Sequence, residues 1–430
     1  MKTLQPRATL LAEFDRFIRR DPAGRGLIAA EPRFGPLCPG HLAKAAESLA
    51  ETATGVVLVT GFYVPHAELP AAETDGPLGT ALLAAALDGM GIPSLIVTDA
   101  WCAAAVRAAA EAIGFPADRA GVLSDDPCAE LREFATERGA MEVSHLIAVE
   151  RVGPAHSLAS ISEQREQREQ REQREQREQR EQREQRGRSS FYRGEAQEKE
   201  QEKELRPLFA DEQREQRGRS SFYRGEAQEK EQEKELRPLF ADQEKEQEKE
   251  LRPLFADLFA DESVERFRAA VLETAWNRCH NMRGDAIDAH TAPLHRLFEE
   301  FPHRVSIGIG DGGNEIGMGS IPWDDLRRRL PGEHASRIPC RVPTDCTLLA
   351  GVSNWGAQAL AAAVALLRDR VDVLRPWDCR QQEAMLNHVL HNGPAVDGLT
   401  GRQEPTVDGL PFVTYIQPWA GIRRLLRLPE

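Results

Sequence analysis

The sequence predicts an α/β fold of mostly parallel sheet with helices on both faces, in two lobes around a cleft, with a long helical or disordered insert. Short apolar, β-branched runs such as VVLVT (56–60) and SLIVT (94–98) alternate with helical segments, as in parallel sheets buried on both faces. Polar residues follow the strands, and parallel strands bring their carboxyl ends to one edge, where ligands bind in open α/β sheets. With 430 residues, the chain is long enough for such a core.

The first lobe, residues 1–160, consists of alternating helical and strand patterns. Pro77, which follows Asp75 and Gly76, is a residue type favoured in the first turn of a helix, and the next glycines mark the end of that helix. The predicted helices are 10–20, 41–51, 77 to 89 or 91, 101–113 and 127–138, and the predicted strands are 55–61, 94–99, 120–123 and 144–150. Sequential strands joined by helices indicate crossover connections in a parallel sheet.

The insert, residues 161–262, is a low-complexity repeat. Eight EQR triplets occupy 163–186, and one block is repeated without change at 181–211 and 212–242. A three-residue period has no apolar coiled-coil seam, so we expect a solvated helix or disorder. A charged interaction arm is the alternative.

The second lobe, residues 263–430, returns to a globular pattern. The predicted elements are helix 263–274, a helix around Leu297, strand 304–310, helix 323–330, strand and loop 346–356, and helices 357–369, 381–391 and 421–428.

Composition limits the classes of partner. A net charge of −14 disfavours nucleic acid and anionic membranes, which require a basic surface. No apolar run reaches the length of a membrane helix, and the first residues lack a signal pattern, so we expect a cytoplasmic protein. Seven cysteines without CxxC spacing indicate reduced thiols. A small molecule is the expected partner, and the oligomeric state is left open, a homo-oligomer included.

The glycine-rich loop RVSIGIGDGGNEIGMG (304–319) is the strongest candidate site. Its six glycines, Gly312 and Gly313 among them, surround Asp311, Asn314 and Glu315. Glycine at this density indicates unusual backbone angles or close approach to a ligand. Two carboxylates and an amide suit either a hard divalent metal or the ammonium of an amino acid.

Other candidates lie near predicted strand and helix ends. Glu73 can reach a ligand, whereas Asp75 is equally explained as a helix cap. Arg151 and Arg283 are candidates for gripping a carboxylate, and Glu150 and Asn281, in the same two motifs, are further candidates for binding the substrate. Asn354 in SNWG is expected to cap a helix first and to form a hydrogen-bonding wall second.

Three other motifs are disfavoured. The loop contains GxGxxG, but no helix pattern opens at Gly313, and the region about twenty residues on is the basic segment DDLRRRL and not an acid at the end of a second strand, so no nucleotide cofactor is expected. The absence of GK[ST] excludes a Walker loop. His290 and His295, separated by Pro293, do not share a helix face as zinc-binding HExxH histidines do.

Taken together, the motifs resemble the D-glutamate cyclase C-terminal-like family. They occur in the order LVTGF, ETDGP, VTD, ERVGP, NMRG, GIGDGGNEIGMG, RIPCRVPTD, GVSNWGA and TVDGLP. The resemblance covers about 55–150 and 278–411. It implies conversion of D-glutamate to 5-oxo-D-proline with loss of water and a divalent metal such as manganese, or magnesium, in the cleft.

From the chemistry of this reaction, we hypothesise roles for these residues. Glu315 or Asp311 would act as base toward the ammonium, or both would bind the metal, and Asn314 would donate to the developing oxyanion. Arg151 and Arg283 would hold carboxylates, with the loop residues facing Glu73 and Arg151 across the cleft. A metal-dependent phosphatase or other hydrolase would use the same acidic cleft, and a non-catalytic amino-acid sensor is a third alternative.

Overall fold

The computed structural model describes residues 6–22, 24, 27–170, 173–174, 177 and 262–429. Two compact units are present, one formed by residues 1–160 and 267–430 and the other by residues 161–266. In the second unit, the described residues 161–170, 173–174, 177 and 262–266 are helical. The remainder of the repeat insert, and with it the prediction of a helical or disordered segment, lies outside the described residues.

The first unit alternates helices and strands along the chain. Its helices are α1 Arg7–Ile18, α2 Glu31–Phe34, α3 His41–Thr52, α4 Pro77–Gly89, α5 Ala103–Ile113, α6 Pro127–Glu137, α7 Arg296–Glu300, α8 Trp323–Arg327, α9 Ser353–Leu367, α10 Cys379–Asn392, α11 Phe412–Tyr415 and α12 Gln417–Leu425. Its strands are β1 Val56–Thr60, β2 Tyr63–Val64, β3 Ala71–Ala72, β4 Ser94–Thr98, β5 Ala120–Val122, β6 His145–Val149, β7 Val305–Gly310, β8 Cys346–Leu349, β9 Thr406–Val407 and β10 Leu410–Pro411.

The main sheet confirms the predicted α/β class. Six strands pair in the order β5-β4-β1-β6-β7-β8, and every pairing is parallel. From β1, the strands follow chain order outward through β4 to β5. From β6, they follow chain order in the opposite direction, through β7 to β8. The place where these two directions meet, between β1 and β6, is the topological switch point at which α/β sheets bind ligands.

The strands of both predicted lobes share this one sheet. β6, before the insert, pairs with β7, after it, with Ile147 opposite Ile307. The insert therefore connects two adjacent strands of a continuous sheet.

Hydrophobic clusters cover the sheet on both faces. On β1, Val56 and Leu58 belong to one cluster, whereas Val57 and Val59 belong to the other. Every residue of this strand is buried, because a central parallel strand has a helix layer on each side. The apolar run seen in the sequence follows from this double burial.

Two helices begin at the carboxyl edge of the sheet and cap one another. Asp75, in the loop before α4, accepts hydrogen bonds from the backbone N–H groups of Ser353 and Asn354, each at 2.8 Å, in the first turn of α9. Asn354 in turn accepts from Gly76 N at 3.0 Å and Gly79 N at 2.7 Å, at the start of α4. Each side chain satisfies N–H groups that have no partner within their own helix.

This arrangement corrects two predictions. Asp75 caps α9 and not the helix that follows it, since the N-cap position of α4 is Gly76. SNWG is the first turn of α9 and not a loop before a helix at 357. The last helix also begins earlier than predicted, at Gln417, with Pro418 in its first turn.

Replacing Asn354 by alanine tests the reciprocal capping. We expect Asn354→Ala to lower the free energy of unfolding by about 1 to 2 kcal/mol, the range measured for lost N-caps, because Gly76 and Gly79 lose their acceptor. Urea unfolding would measure it, with Asn392→Ala, an exposed amide at the end of α10, as control. Equal stability of both variants would contradict this role.

Within the described residues, no helix is long and apolar enough to cross a membrane.

Candidate active site

The strand ends around the switch point form a buried polar network, as predicted. Thr98 Oγ1 donates to the carbonyl of Thr60 at 2.8 Å, and Thr60 Oγ1 donates to that of Val149 at 2.8 Å. These bonds join the carboxyl ends of β4, β1 and β6. The network fixes the spacing of the loops that follow these three strands.

Arg151 belongs to this network and does not line the cavity described below. Its guanidinium pairs with Asp99 at 2.7 Å, with both side chains 1% exposed. It also donates to the carbonyls of Gly61 at 2.9 Å and Ala292 at 2.8 Å. The geometry therefore favours a structural role for Arg151, pairing with a buried aspartate and holding two loops, over the predicted role of gripping the substrate.

Three buried carboxylates from separate elements converge beside the network. Asp75, Glu150 and Asp311 each place an oxygen within 4.8 Å of the others. Glu150 and Asp311 follow β6 and β7 of the main sheet, and Asp75 follows β3 of the separate β2-β3 pair, so the fold brings together residues far apart in sequence. This is the one group of metal-ligating side chains found among the described residues, and none of the histidines considered above belongs to it.

Glu150 has the most perturbed environment of the three. Burial raises the pKa of its carboxyl well above the ordinary value, and the negative charges of Asp311, Glu315, Glu73 and Asp75 raise it further. Its backbone lies in the left-handed region at φ 44°, which is uncommon for a residue other than glycine and concentrates at functional sites. Ser353 Oγ donates to its carboxylate at 2.5 Å.

Glu315 organises the glycine-rich loop from within. Its carboxylate accepts from the backbone N–H groups of Asp311 at 3.1 Å, Gly312 at 2.6 Å and Gly313 at 2.7 Å. At Gly308 a Cβ would lie 2.6 Å from the Cα of Gly317, so the glycines let the loop fold back on its own strand. The geometry therefore favours a loop-holding role for Glu315 over the predicted role of base or metal ligand.

Two amides near the carboxylates make hydrogen bonds to the backbone. Asn314 Nδ2 donates to the carbonyl of His280 at 2.8 Å. Asn281 Oδ1 accepts from the backbone N–H groups of Arg283 and Asp285, both at 2.9 Å. Each amide thus fixes the loop that carries it while remaining at the site.

A cavity of about 320 Å³ lies in front of these groups. Five predicted residues line it, namely Glu73, Glu150, Asn281, Arg283 and Asn314. Asp75 and Asp311 are outside the lining but close to Glu150, which is in it. The other predicted residues, Arg151, Gly312, Gly313, Glu315 and Asn354, are also outside the lining. Among these, Gly312 and Gly313 donate to Glu315, and Asn354 accepts from Gly79.

Sequence reasoning missed the remaining lining residues. These are Gly24, Phe62, Val64, His66, Met282, Pro331, Gly398 and Leu399. Gly398 belongs to the first of two Val-Asp-Gly-Leu copies in the C-terminal part, and Val396 of that copy bridges to Glu73. The repeated tetrapeptide was the available signal, since repeated turns of this kind indicate a constrained loop.

Fold and cavity together define a doubly wound α/β protein with a cavity, lined in part by buried carboxylates, beside its switch point. The family described as D-glutamate cyclase-like, C-terminal, matches residues 14–166 and 211–419. The chain belongs to this family, which confirms the resemblance. It is also 34% identical over 160 residues to the D-glutamate cyclase, mitochondrial, of Homo sapiens, a match that covers 31% of this chain.

That match spans a quarter of the human protein's length, 25%. The name of the relative places it in mitochondria, so the cytoplasmic location of this chain stays a prediction.

Proposed function

We propose that the protein is a D-glutamate cyclase-like lyase, which converts D-glutamate to 5-oxo-D-proline with loss of water. The cavity is the observation that carries the proposal: buried carboxylates of Glu73 and Glu150 form one side, and Arg283 lies on its rim. An amino acid needs both, an anionic partner for its ammonium and a cation for a carboxylate. Membership of the family and the similarity to the human cyclase support the same activity.

The reaction sets a clear demand on proton transfer. The α-amine forms a bond to the γ-carboxyl carbon, one C–O bond of that carboxyl breaks, and the oxygen leaves as water. Two protons of the ammonium must therefore end on the departing oxygen. Groups that can both accept and donate protons near neutral pH are suited to this task.

We assign this transfer to Glu150 and Asp311. The raised pKa of Glu150 lets it hold a proton that a normal glutamate would lose, so it can donate to the departing oxygen. Asp311 is adjacent and is assigned the role of accepting a proton from the ammonium. Glu73 and Asp75 add negative charge that attracts the ammonium.

The amides and the loop backbone complete the assignment. Asn314 is held by His280 and faces the cavity, where its amide can donate to the developing oxyanion. Glu315, Gly312 and Gly313 keep the backbone of Asp311 and Asn314 in position. Fixed geometry of this kind contributes roughly 7 to 11 kcal/mol in well-oriented reactions.

The carboxylates also fit a divalent metal such as manganese or magnesium. Asp75, Glu150 and Asp311 supply the hard oxygen donors that these ions bind. A bound ion would neutralise and polarise a carboxyl oxygen. Because a carboxyl must lose its proton to bind a metal, Glu150 would serve either as ligand or as proton donor, so metal affinity is expected to rise with pH.

Incubation with D- and L-glutamate, with and without manganese, tests the activity. We expect chromatography to show 5-oxoproline formed from D-glutamate. Binding without turnover would instead favour the sensor. Release of phosphate from phosphate esters only when metal is present would favour the hydrolase.

Gly398 provides a test of the cavity wall. A Cβ at this position would collide with the carboxylate of Glu73, so we expect Gly398→Ala to displace Glu73 and to lower kcat/KM for D-glutamate by about 10- to 100-fold. Gly89→Ala is the matched control, since its Cβ would make an ordinary contact at 3.5 Å with Val373. Equal activity of both variants would remove Glu73 from the site.

A further inference from the structure

The cavity has buried carboxylates at its floor and an exposed positive charge at its rim. Its carboxylates, Glu73 and Glu150, are 6% and 5% exposed. Arg283 and His66, which also line it, are exposed. Arg283 is exposed and lines the cavity, so its positive charge lies at the rim.

The orientation of the Asn281 amide favours one tautomer of His66. Because Asn281 Oδ1 accepts from two backbone N–H groups, the amide orientation is fixed. Its Nδ2 then donates to Asp285 at 3.2 Å and makes a long contact of 3.5 Å with His66 Nδ1. This contact favours Nδ1 as the acceptor, which in the neutral ring leaves Nε2–H as the donor.

The surroundings keep this imidazole neutral. Partial burial lowers the pKa of His66, and the positive charge of Arg283 lowers it further, while Asp285 raises it. The neutral ring adds a hydrogen-bond donor beside Arg283 without adding a second repelling charge. The rim thus presents two kinds of donor, a guanidinium and an imidazole N–H.

We propose that His66, together with Arg283, binds the α-carboxylate of the substrate and makes the site specific for amino acids in which that carboxylate is free. The inference rests on the proposed cyclisation, in which the α-amine and the γ-carboxyl react. Both reacting groups then lie at the acidic floor, and the α-carboxylate, which does not react, reaches the rim. A glutamate joined through its α-carboxyl to a peptide or an amide would lose this contact.

Two ligands distinguish this role, namely D-glutamate and D-isoglutamine, its α-amide. Calorimetry measures the dissociation constants of both ligands for wild type. To prevent turnover, the same constants are measured for Glu150→Gln and for Glu150→Gln combined with His66→Ala. We expect His66→Ala to weaken D-glutamate about tenfold, as for a hydrogen bond to a charged group, and to leave D-isoglutamine nearly unchanged. His66→Gln, which keeps an N–H donor, should retain part of the affinity.

His391→Ala, which removes an exposed histidine of α10, is the control and should change neither constant. An equal loss for both ligands in His66→Ala overturns the inference and leaves the proposed function standing. Tight D-glutamate binding by wild type without formation of 5-oxoproline overturns the proposed function alone. If wild type binds no D-glutamate, both are overturned.

Discussion

Glu150→Gln is expected to lower the rate of D-glutamate cyclisation by about 100- to 10,000-fold, the usual contribution of one general acid-base residue. Glutamine has nearly the same volume and can still accept from Ser353, but it cannot hold or release a proton. The raised pKa of the Glu150 carboxyl comes first from burial and then from four nearby carboxylates. The substitution removes the group that this environment adapts for proton transfer.

The same variant should not lose stability at neutral pH. A carboxyl whose pKa is raised on folding stabilises the protein below its unfolded pKa, and this stabilisation is lost as pH rises through its folded pKa. Glutamine has no such dependence, so Glu150→Gln should become more stable relative to wild type as pH rises. Activity and urea unfolding, measured from acid to neutral pH, check both expectations.

Glu142→Gln is the control, an exposed glutamate paired with Arg304 outside the cavity. It should leave both activity and the pH dependence of stability close to wild type. A Glu150→Gln enzyme that is fully active would exclude Glu150 from the chemistry.

Arg151→Met is expected to lower the free energy of unfolding by about 3 to 5 kcal/mol, because removing one partner of a buried ion pair leaves the other charge uncompensated. The abandoned group is Asp99, whose side chain is 1% exposed and pairs with Arg151 at 2.7 Å. Two backbone carbonyls, those of Gly61 and Ala292, lose a donor as well. Denaturant unfolding measures the loss.

A double variant separates the buried charge from the lost packing. Asp99→Asn removes the stranded charge, so Asp99→Asn with Arg151→Met should be more stable than Arg151→Met alone. Arg107→Met, an exposed arginine of α5, should change stability by no more than about 0.5 kcal/mol. A large increase in KM with little change in stability would instead restore the substrate-gripping role predicted from the sequence.

The main strands and most helices could be predicted because burial on both faces leaves a direct trace in the sequence. β1, with all five residues buried, appears as VVLVT, and the predicted strand ends one residue beyond the observed one. Glu150, Asn281 and Arg283 could be found because they lie near strand ends or beside glycine. The parallel topology then brings strand ends together without further information.

The missed residues depend on contacts between distant segments. Gly398 and Glu73 are far apart in sequence and come into contact only in the folded chain. His66 lies in an irregular loop with no periodic pattern. Asp75 stands in the sequence where a local helix cap is expected, yet its side chain accepts hydrogen bonds from the backbone of Ser353 and Asn354. Arg151 was recognised as a carboxylate binder, but Asp99 binds it within the chain.

The most direct test of the account is ¹³C NMR of D-glutamate labelled at the γ-carboxyl carbon, incubated with wild type and with Glu150→Gln. We expect wild type to convert the carboxylate signal into that of a lactam carbonyl, and the variant to do so far more slowly while it remains folded. An unchanged carboxylate signal with wild type, with or without manganese, or equal conversion by both proteins, would contradict it.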